Sequence, residues 1–255
     1  MNFLTAVHTD VGIKKSTNQD SALVMEATSD YGNVLLAVIC DGMGGLAKGE
    51  VASSAVIQLF KKWFEEDLPS VITSNDPKTL IFSTWEKIVY SANIKISEYG
   101  RAQGISLGTT LVAVLFLGNS YYIVNIGDSR AYCISDNLYQ LTKDQTFVQR
   151  EMDMGRMTYE ESLNHPRRNV LLQCIGASNL VEPDFHTGQF TSGQSFMLCS
   201  DGFRHVISEA ELFEKLNPYM LNSEQAMYDN LVYLTELNKY RREQDNISAI
   251  LIKTE

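Results

Sequence analysis

The stretch D-S-A-L-V-M-E-A-T-S-D-Y-G-N-V-L-L-A-V-I-C-D (20–41) decides the fold of this chain. It holds two apolar-rich runs of strand length, Ser21–Thr28 and Asn33–Cys40, separated by the turn-forming residues S-D-Y-G. This pattern predicts an antiparallel hairpin. A turn centred on the D-Y pair would place Asp20, which precedes the first strand, opposite Asp41, which follows the second.

Beyond the hairpin, helices and strands are predicted in separate blocks. Helical patterns cover Glu50–Leu68, Leu80–Gln103 and Ser223–Tyr240, and a capping-box pair, Ser208 and Glu211, opens a further helix. Further strands are predicted over Gly108–Leu117, Tyr121–Ile126, Ala131–Ile134, Leu138–Leu141, Ser195–Cys199 and Ile247–Ile252. Separate blocks of this kind indicate an α+β fold. No repeat or linker is present, so residues 1–255 are expected to form a single domain.

Composition excludes some classes of protein. The 255 residues include 31 Asp and Glu against 21 Lys and Arg, a formal charge of −10, and such a chain is a poor nucleic-acid binder. No apolar run is long enough for a transmembrane helix, and the N-terminus lacks the features of a signal peptide, so a cytoplasmic protein without a membrane segment is expected. The four cysteines form no C-x-x-C pair and are expected to be buried free thiols.

Five aspartates lie at the ends of the predicted strands. Asp41, Asp128 and Asp201 follow strands, whereas Asp20 and Asp245 precede them. In antiparallel pairing the end of one strand lies beside the start of its neighbour, so all five can meet at one edge. Crowded carboxylates repel and need protons or cations, and oxygen ligands favour Mg²⁺, Mn²⁺ or Ca²⁺. A single Asp after a strand is more often a turn residue, so the pattern alone leaves a metal site open.

Eight short motifs follow one another along the chain, and their order is more specific than any one of them. They are T-N-Q-D-S (17–21), D-G-M-G-G-L-A-K-G-E-V-A-S (41–53), G-T-T-L (108–111), N-I-G-D-S-R-A-Y (125–132), L-T-K-D-Q (141–145), N-H-P-R-R-N-V-L (164–171), S-D-G (200–202) and Q-D-N-I-S (244–248). The set resembles the PPM-type (type 2C) protein serine/threonine phosphatases, bacterial branch. The resemblance implies a four-layer α/β/β/α sandwich of two antiparallel sheets flanked by helices, with metal ions at one end.

The resemblance also implies a set of metal ligands, residue by residue. Asp41 resembles the family's bridging ligand between two core ions, Mn²⁺ or Mg²⁺. The carbonyl of Gly42 resembles a ligand of the first ion, and Asp201 and Asp245 resemble ligands of the second. Asp128, together with Asp201, matches the weaker third site of the bacterial branch.

Two further positions carry implied roles. Asp20 resembles the residue that holds metal-bound water in the outer shell. Lys15 stands where the family usually has a phosphate-binding Arg, and a lysine attracts phosphate as a point charge without the two-pronged geometry of arginine. Met43 stands where eukaryotic relatives have a histidine proposed as general acid, so the proton for the leaving group must come from water.

The polar segment 144–178 aligns with the family's flap, a mobile segment beside the active site. We expect it to be irregular, with one short helix near Thr158–Asn164. His165, Arg167 and Arg168 lie within it, and we interpret them as structural contacts that anchor the flap. The other histidines show no partner pattern and are expected to be structural or solvent-facing: His8, His186 and His205.

The implied reaction is hydrolysis of phosphoserine and phosphothreonine in proteins. Two ions about 3.5–4 Å apart lower the pKa of a bridging water, and the resulting hydroxide attacks phosphorus in line. The expected partners are phosphorylated proteins, a serine/threonine kinase and its substrates among them, and the default oligomeric state is a monomer.

Two other functions compete with this interpretation. The run Gly42–Ala47 fits G-x-G-x-x-[GA] within a glycine-rich loop, and Glu65 lies about 20 residues further on, as in dinucleotide-binding enzymes. Against it, Asp41 would face the pyrophosphate, and no run of βαβ units follows. The second alternative is a catalytically inactive relative that binds phosphoproteins, although a binding module has no need for five mutually repulsive aspartates.

Overall fold

A computed structural model of the protein describes residues 1–29, 32–44 and 48–255. The strands are β1 (Phe3–Asp10), β2 (Asp20–Ser29), β3 (Gly32–Gly44), β4 (Leu107–Thr109), β5 (Leu111–Leu117), β6 (Ser120–Ile126), β7 (Arg130–Ile134), β8 (Leu138–Gln140), β9 (Asp184–Gln189), β10 (Ser195–Cys199) and β11 (Ile247–Thr254). The helices are α1 (Gly49–Glu66), α2 (Leu68–Ile72), α3 (Pro77–Gln103), α4 (Phe147–Asp153), α5 (Tyr159–Leu163), α6 (Asp201–Arg204), α7 (Glu209–Leu216) and α8 (Glu224–Tyr240), with a 3-10 turn at Pro218–Met220. Within the described ranges no helix is both long and apolar enough to cross a membrane.

The strands form two antiparallel sheets. One has the order β1-β11-β10-β7-β8, and the other has the order β2-β3-β5-β6-β9, with β4 paired to β3. The predicted hairpin is confirmed with its register, because Asp20 pairs with Asp41; residues 30 and 31 of its turn lie outside the described part of the chain. Antiparallel pairing of β3 with both β2 and β5 contradicts the dinucleotide-binding alternative, which requires parallel βαβ units.

Side chains of β3 alternate between two cores. Val34, Leu36 and Val38 are buried with apolar residues of α1 and α3. The intervening residues, Leu35, Ala37 and Ile39, are buried against strands of the opposite sheet. A third core lies between that opposite sheet and the pair α7 and α8. The layers are therefore helix, sheet, sheet and helix, which confirms the predicted α+β sandwich.

Two differences from the predicted boundaries lie beside Asp41. β3 continues through Asp41 to Gly44, so the predicted glycine-rich loop begins as strand, and residues 45–47 lie outside the described ranges. The predicted strand Gly108–Leu117 is divided at Thr110, because the N–H of Thr110 donates to the Asp41 carbonyl (2.9 Å) and its Oγ1 accepts from the Asp41 N–H (2.9 Å). β1, β9 and α4 were not predicted.

The segment 144–178 is held by contacts within itself. The predicted short helix is confirmed as α5. The guanidinium of Arg167 lies 3.6 Å from the centre of the Phe147 ring, and the imidazole of His165 stacks on the same ring. Nη1 of Arg168 donates to the Leu163 carbonyl (3.1 Å). These contacts agree with the interpretation that the three side chains anchor the segment.

A buried ionic network joins this segment to the sheet that contains β7. Asp144 accepts from Nε and Nη2 of Arg130, at 2.7 Å each, and from Nη2 of Arg204 at 3.3 Å. Burial opposes ionisation of Asp144, but the two guanidinium groups outweigh it and hold its pKa below the ordinary value. The carboxylate therefore stays charged and keeps two buried cations paired.

We predict that Asp144→Ala destabilises the protein by about 3–5 kcal/mol, because it leaves the buried guanidinium of Arg130 without its carboxylate partner. Asp153→Ala is the matched control, since Asp153 pairs with Lys143 (2.7 Å) at the surface and its loss should cost no more than about 1 kcal/mol. Urea unfolding of both variants measures the two changes. Equal losses in the two variants would contradict a structural role for the buried network.

Candidate metal centre

The first sheet contributes two aspartates to one edge of the sandwich. Asp20 begins β2 and lies directly opposite Asp41 on β3. The main chain of Asp41 is held on both sides by Thr110, through the two hydrogen bonds described above. The main chain that carries the Asp41 side chain is therefore fixed in position.

The second sheet and its connections contribute the other three. Asp201 begins α6 directly after β10, Asp245 precedes β11, and Asp128 lies in the turn between β6 and β7. Oγ of Ser200 donates to Oδ2 of Asp20 (2.9 Å), so this contact joins the two sheets at the site. The predicted strand-end pattern thus places these carboxylates on facing edges.

The electrostatics show that the five carboxylates form one group. Burial is the largest cause that raises the pKa of Asp41 well above its ordinary value, although this residue is partly exposed, and the charges of the other four aspartates add to it: Asp20, Asp201, Asp128 and Asp245. Burial, then the charges of Asp201 and Asp245, raise the pKa of Asp20 to about 7 despite hydrogen bonds from Ser248 and Ser200. Burial and the charge of Asp201 raise the pKa of Asp128 to about 7.

Two carboxylate oxygens in this group lack partners. Oδ1 of Asp20 and Oδ1 of Asp201 are buried and accept no hydrogen bond from any described residue. Buried oxygens of this kind normally have a partner, so these two suit a bound cation or a water molecule that the cation carries. The donors are oxygens, which fits Mg²⁺ or Mn²⁺ rather than zinc.

The carboxylates alone do not enclose an ion as they stand. Among the described residues, no group of three or more His, Cys, Asp or Glu is arranged to hold a metal. An ion here would therefore complete its coordination with water and main-chain oxygen, as Mg²⁺ commonly does. Gly42 suits that task, because a side chain there would overlap the main chain of Gly49 at the start of α1, so only glycine fits this close approach.

Lys15 points towards the same group. Its Nζ lies 3.0 Å from Oδ1 of Asp245. Partial burial lowers the pKa of Lys15, but the hydrogen bond with Asp245 and the charges of Asp245, Asp41 and Asp201 outweigh it, and the net pKa is raised. Lys14 instead donates to Oε1 of Gln244 (2.7 Å). Of the two lysines, Lys15 is the one in contact with a cluster aspartate.

His205 is a site residue that the sequence analysis did not recognise. Its Nε2 lies 3.4 Å from Oδ2 of Asp201, and its Nδ1 lies 3.5 Å from Oε2 of Glu243. The sequence showed no partner pattern for this histidine, and the structure gives it two acidic partners. The four-residue spacing between Asp201 and His205, which brings side chains together on a helical turn, was the available signal.

Comparison with known proteins agrees with the geometry. The family model of protein phosphatase 2C matches residues 12–239. A serine/threonine phosphatase named stp from Listeria monocytogenes is 32% identical over 96% of this chain and 93% of its own. A solved serine/threonine phosphatase of S. agalactiae superposes with a TM-score of 0.83 at 28% identity, over 100% of both chains. The catalytic domain of the phosphatase PstP, solved with two manganese ions, superposes with a TM-score of 0.79 at 29% identity, over 98% of this chain and 97% of its own.

The two-sheet sandwich is thus that of a class of serine/threonine phosphatases, a member of which is solved with two manganese ions. The chain belongs to the protein phosphatase 2C family and is a serine/threonine phosphatase of that family. The resemblance of its ordered motifs to this family is confirmed. The assignment of individual ligands remains a prediction.

We predict that the metal-free protein loses stability as the pH rises from about 4 to 7. The folded-state pKa of Asp20 is about 7, whereas an unfolded aspartate titrates near its ordinary value of about 3.9, so the folded state binds more protons in this window. Thermal unfolding in a chelator at several pH values measures the slope. Asp20→Asn should make it shallower, and Asp136→Asn, in an exposed turn, should not; an unchanged slope in Asp20→Asn would contradict the raised pKa.

Proposed function

We propose that this protein hydrolyses phosphoserine and phosphothreonine in proteins with two core ions, Mn²⁺ or Mg²⁺, and a weaker third. The observation that supports this best is the group of five carboxylates centred on Asp41, two of whose members have buried oxygens without partners among the described residues. When bound, the ions would supply an activated water and neutralise the phosphoryl oxygens.

The ligands that we propose are those implied by the resemblance of the motifs to the family. The charges of the other four aspartates all raise the pKa of Asp41, which supports our proposal that it is the ligand shared by both core ions. The Gly42 carbonyl would help to hold the first ion, and Asp201 and Asp245 would hold the second. Asp128 with Asp201 would hold the third.

Asp20 and Lys15 are proposed to act without binding an ion directly. Ser200 fixes one oxygen of Asp20, which leaves the other, Oδ1, to orient a water molecule at the site. The ammonium of Lys15 lies at the same edge and would attract the phosphoryl group of the substrate.

A groove beside the site suits a protein substrate. Its volume is about 1200 Å³, and it runs from Lys15 and Asp245 between the α4–α5 segment and the start of α7. It offers room for residues that flank a phosphorylated side chain. We therefore propose phosphoproteins as substrates, including a serine/threonine kinase and its targets. We further propose that the enzyme is monomeric and cytoplasmic, and that residues 1–255 form a single domain. Residues 144–178 are proposed to be its flap.

We predict that Asp41→Asn lowers turnover at least about 10²-fold, because a shared ligand that loses its charge should empty or misplace both core ions. The assay is hydrolysis of p-nitrophenyl phosphate and of a phosphothreonine peptide, with chelator and with added Mn²⁺. Asp229→Asn on the exposed side of α8 is the control and should keep full activity.

Each outcome of this assay decides between functions. Near-parental Mn²⁺-dependent turnover in Asp41→Asn would contradict the assigned centre. A parental protein that binds phosphopeptides but hydrolyses neither substrate would instead support the catalytically inactive alternative.

We predict that Lys15→Ala raises KM several-fold with a smaller change in kcat. An ammonium that binds substrate and transition state equally affects KM, whereas an interaction made only in the transition state affects kcat. Lys15→Arg should be tolerated, because arginine can make two hydrogen bonds to phosphate. Lys14→Ala is the control, and a raised KM in that variant alone would show that Lys14 contacts the phosphate.

A further inference from the structure

Glu243 and His205 form a pair beside the proposed ligands of the second ion. His205 lies between two carboxylates, 3.4 Å from Asp201 at one ring nitrogen and 3.5 Å from Glu243 at the other. The side chains of His205 and Glu243 are both largely buried, at 19% and 10% exposure, so the surrounding protein restricts their positions.

Glu243 is also connected to the other ligand of that ion. Its Oε1 accepts hydrogen bonds from the main-chain N–H of Gln244 (2.7 Å) and of Asp245 (3.0 Å). One oxygen of Glu243 therefore faces the imidazole beside Asp201, while the other holds the main chain of Asp245. Glu243 and His205 together therefore connect Asp201 with Asp245, which lie 44 positions apart in the sequence.

His205 contacts only one of the two carboxylate oxygens of Asp201. The imidazole lies against Oδ2, whereas Oδ1 is buried and without a hydrogen-bond partner in the described residues. This contact orients the carboxylate of Asp201 and leaves its Oδ1 for an ion.

We propose that the Glu243–His205 pair positions Asp201 and Asp245 relative to each other before an ion binds. Both are positioning residues that act through the two aspartates, and the inference rests on the proposed function, in which those aspartates bind the second core ion. Without the pair, the repelling carboxylates would separate, and ion binding would have to restore their arrangement. Outer partners of metal ligands commonly change metal affinity about 10–100-fold.

The test is calorimetric titration of chelator-stripped protein with Mn²⁺, which requires no substrate. His205→Ala and Glu243→Ala should each weaken the affinity of the second core ion by about 10–100-fold. The double variant should be no weaker than the weaker single variant, because both changes break the same connection. His186→Ala and Glu236→Ala remove the same residue types elsewhere, on β9 and α8, and should leave Mn²⁺ affinity unchanged.

A second substitution separates the two arms of the connection. Glu243→Gln keeps an oxygen for the main-chain N–H groups but loses the charge that faces the imidazole, so its loss of affinity should be smaller than that of Glu243→Ala. Thermal unfolding of the stripped proteins is measured in parallel. His205→Gln, which retains a donor and nearly fills the same space, serves in place of His205→Ala if the latter does not fold, and should also weaken binding.

The outcomes distinguish this inference from the proposed function. Parental Mn²⁺ affinity in the His205 variants, or losses that multiply in the double variant, would overturn the inference and leave the phosphatase centre intact. A parental protein that binds no Mn²⁺ would overturn both.

Discussion

Repulsion among five carboxylates at one edge of the sandwich is the constraint on which the rest of the structure depends. Burial and like charge together raise the pKa values of Asp41, Asp20 and Asp128. Such a group is costly unless protons or cations compensate it. No single sheet supplies it: the β2–β3 hairpin brings two members, and the opposite sheet with its connections brings the others. The site therefore requires a fold with two stacked sheets whose edges are aligned.

The surrounding contacts keep this group assembled. Thr110 holds the main chain of Asp41, Ser200 links Asp20 to the second sheet, and Glu243 fixes the main chain of Asp245. Two of these contacts act on main chain and one on a carboxylate oxygen, and none of the three brings a positive charge to the cluster. The carboxylates thus keep their negative charge and can bind a cation. A cation that binds only the folded state stabilises that state by mass action.

The sequence predicted those parts of the site that local patterns determine. The turn length sets the register of the first hairpin, so the pairing of Asp20 with Asp41 followed from residues 20–41 alone. The layer order came from the resemblance of the ordered motifs to a known family. The contact of His205 with Glu243 was not predictable in this way. His205 lies at the end of α6 and Glu243 in the turn before β11, and these parts of the chain meet only after folding. β1 and β9 were missed because their sequences, F-L-T-A-V-H-T-D and D-F-H-T-G-Q, mix polar and apolar residues at sheet edges.

Charge balance explains how an acidic protein can receive an anionic substrate. A phosphoryl group carries nearly two negative charges at neutral pH, and a bare cluster of aspartates would repel it. Two divalent ions would cancel most of the charge of five carboxylates. Lys15, beside Asp245, supplies positive charge at a further point of the same edge. The edge can then attract phosphate locally while the chain as a whole keeps its formal charge of −10. Recognition of the substrate and occupancy by metal are therefore coupled through one electrostatic field.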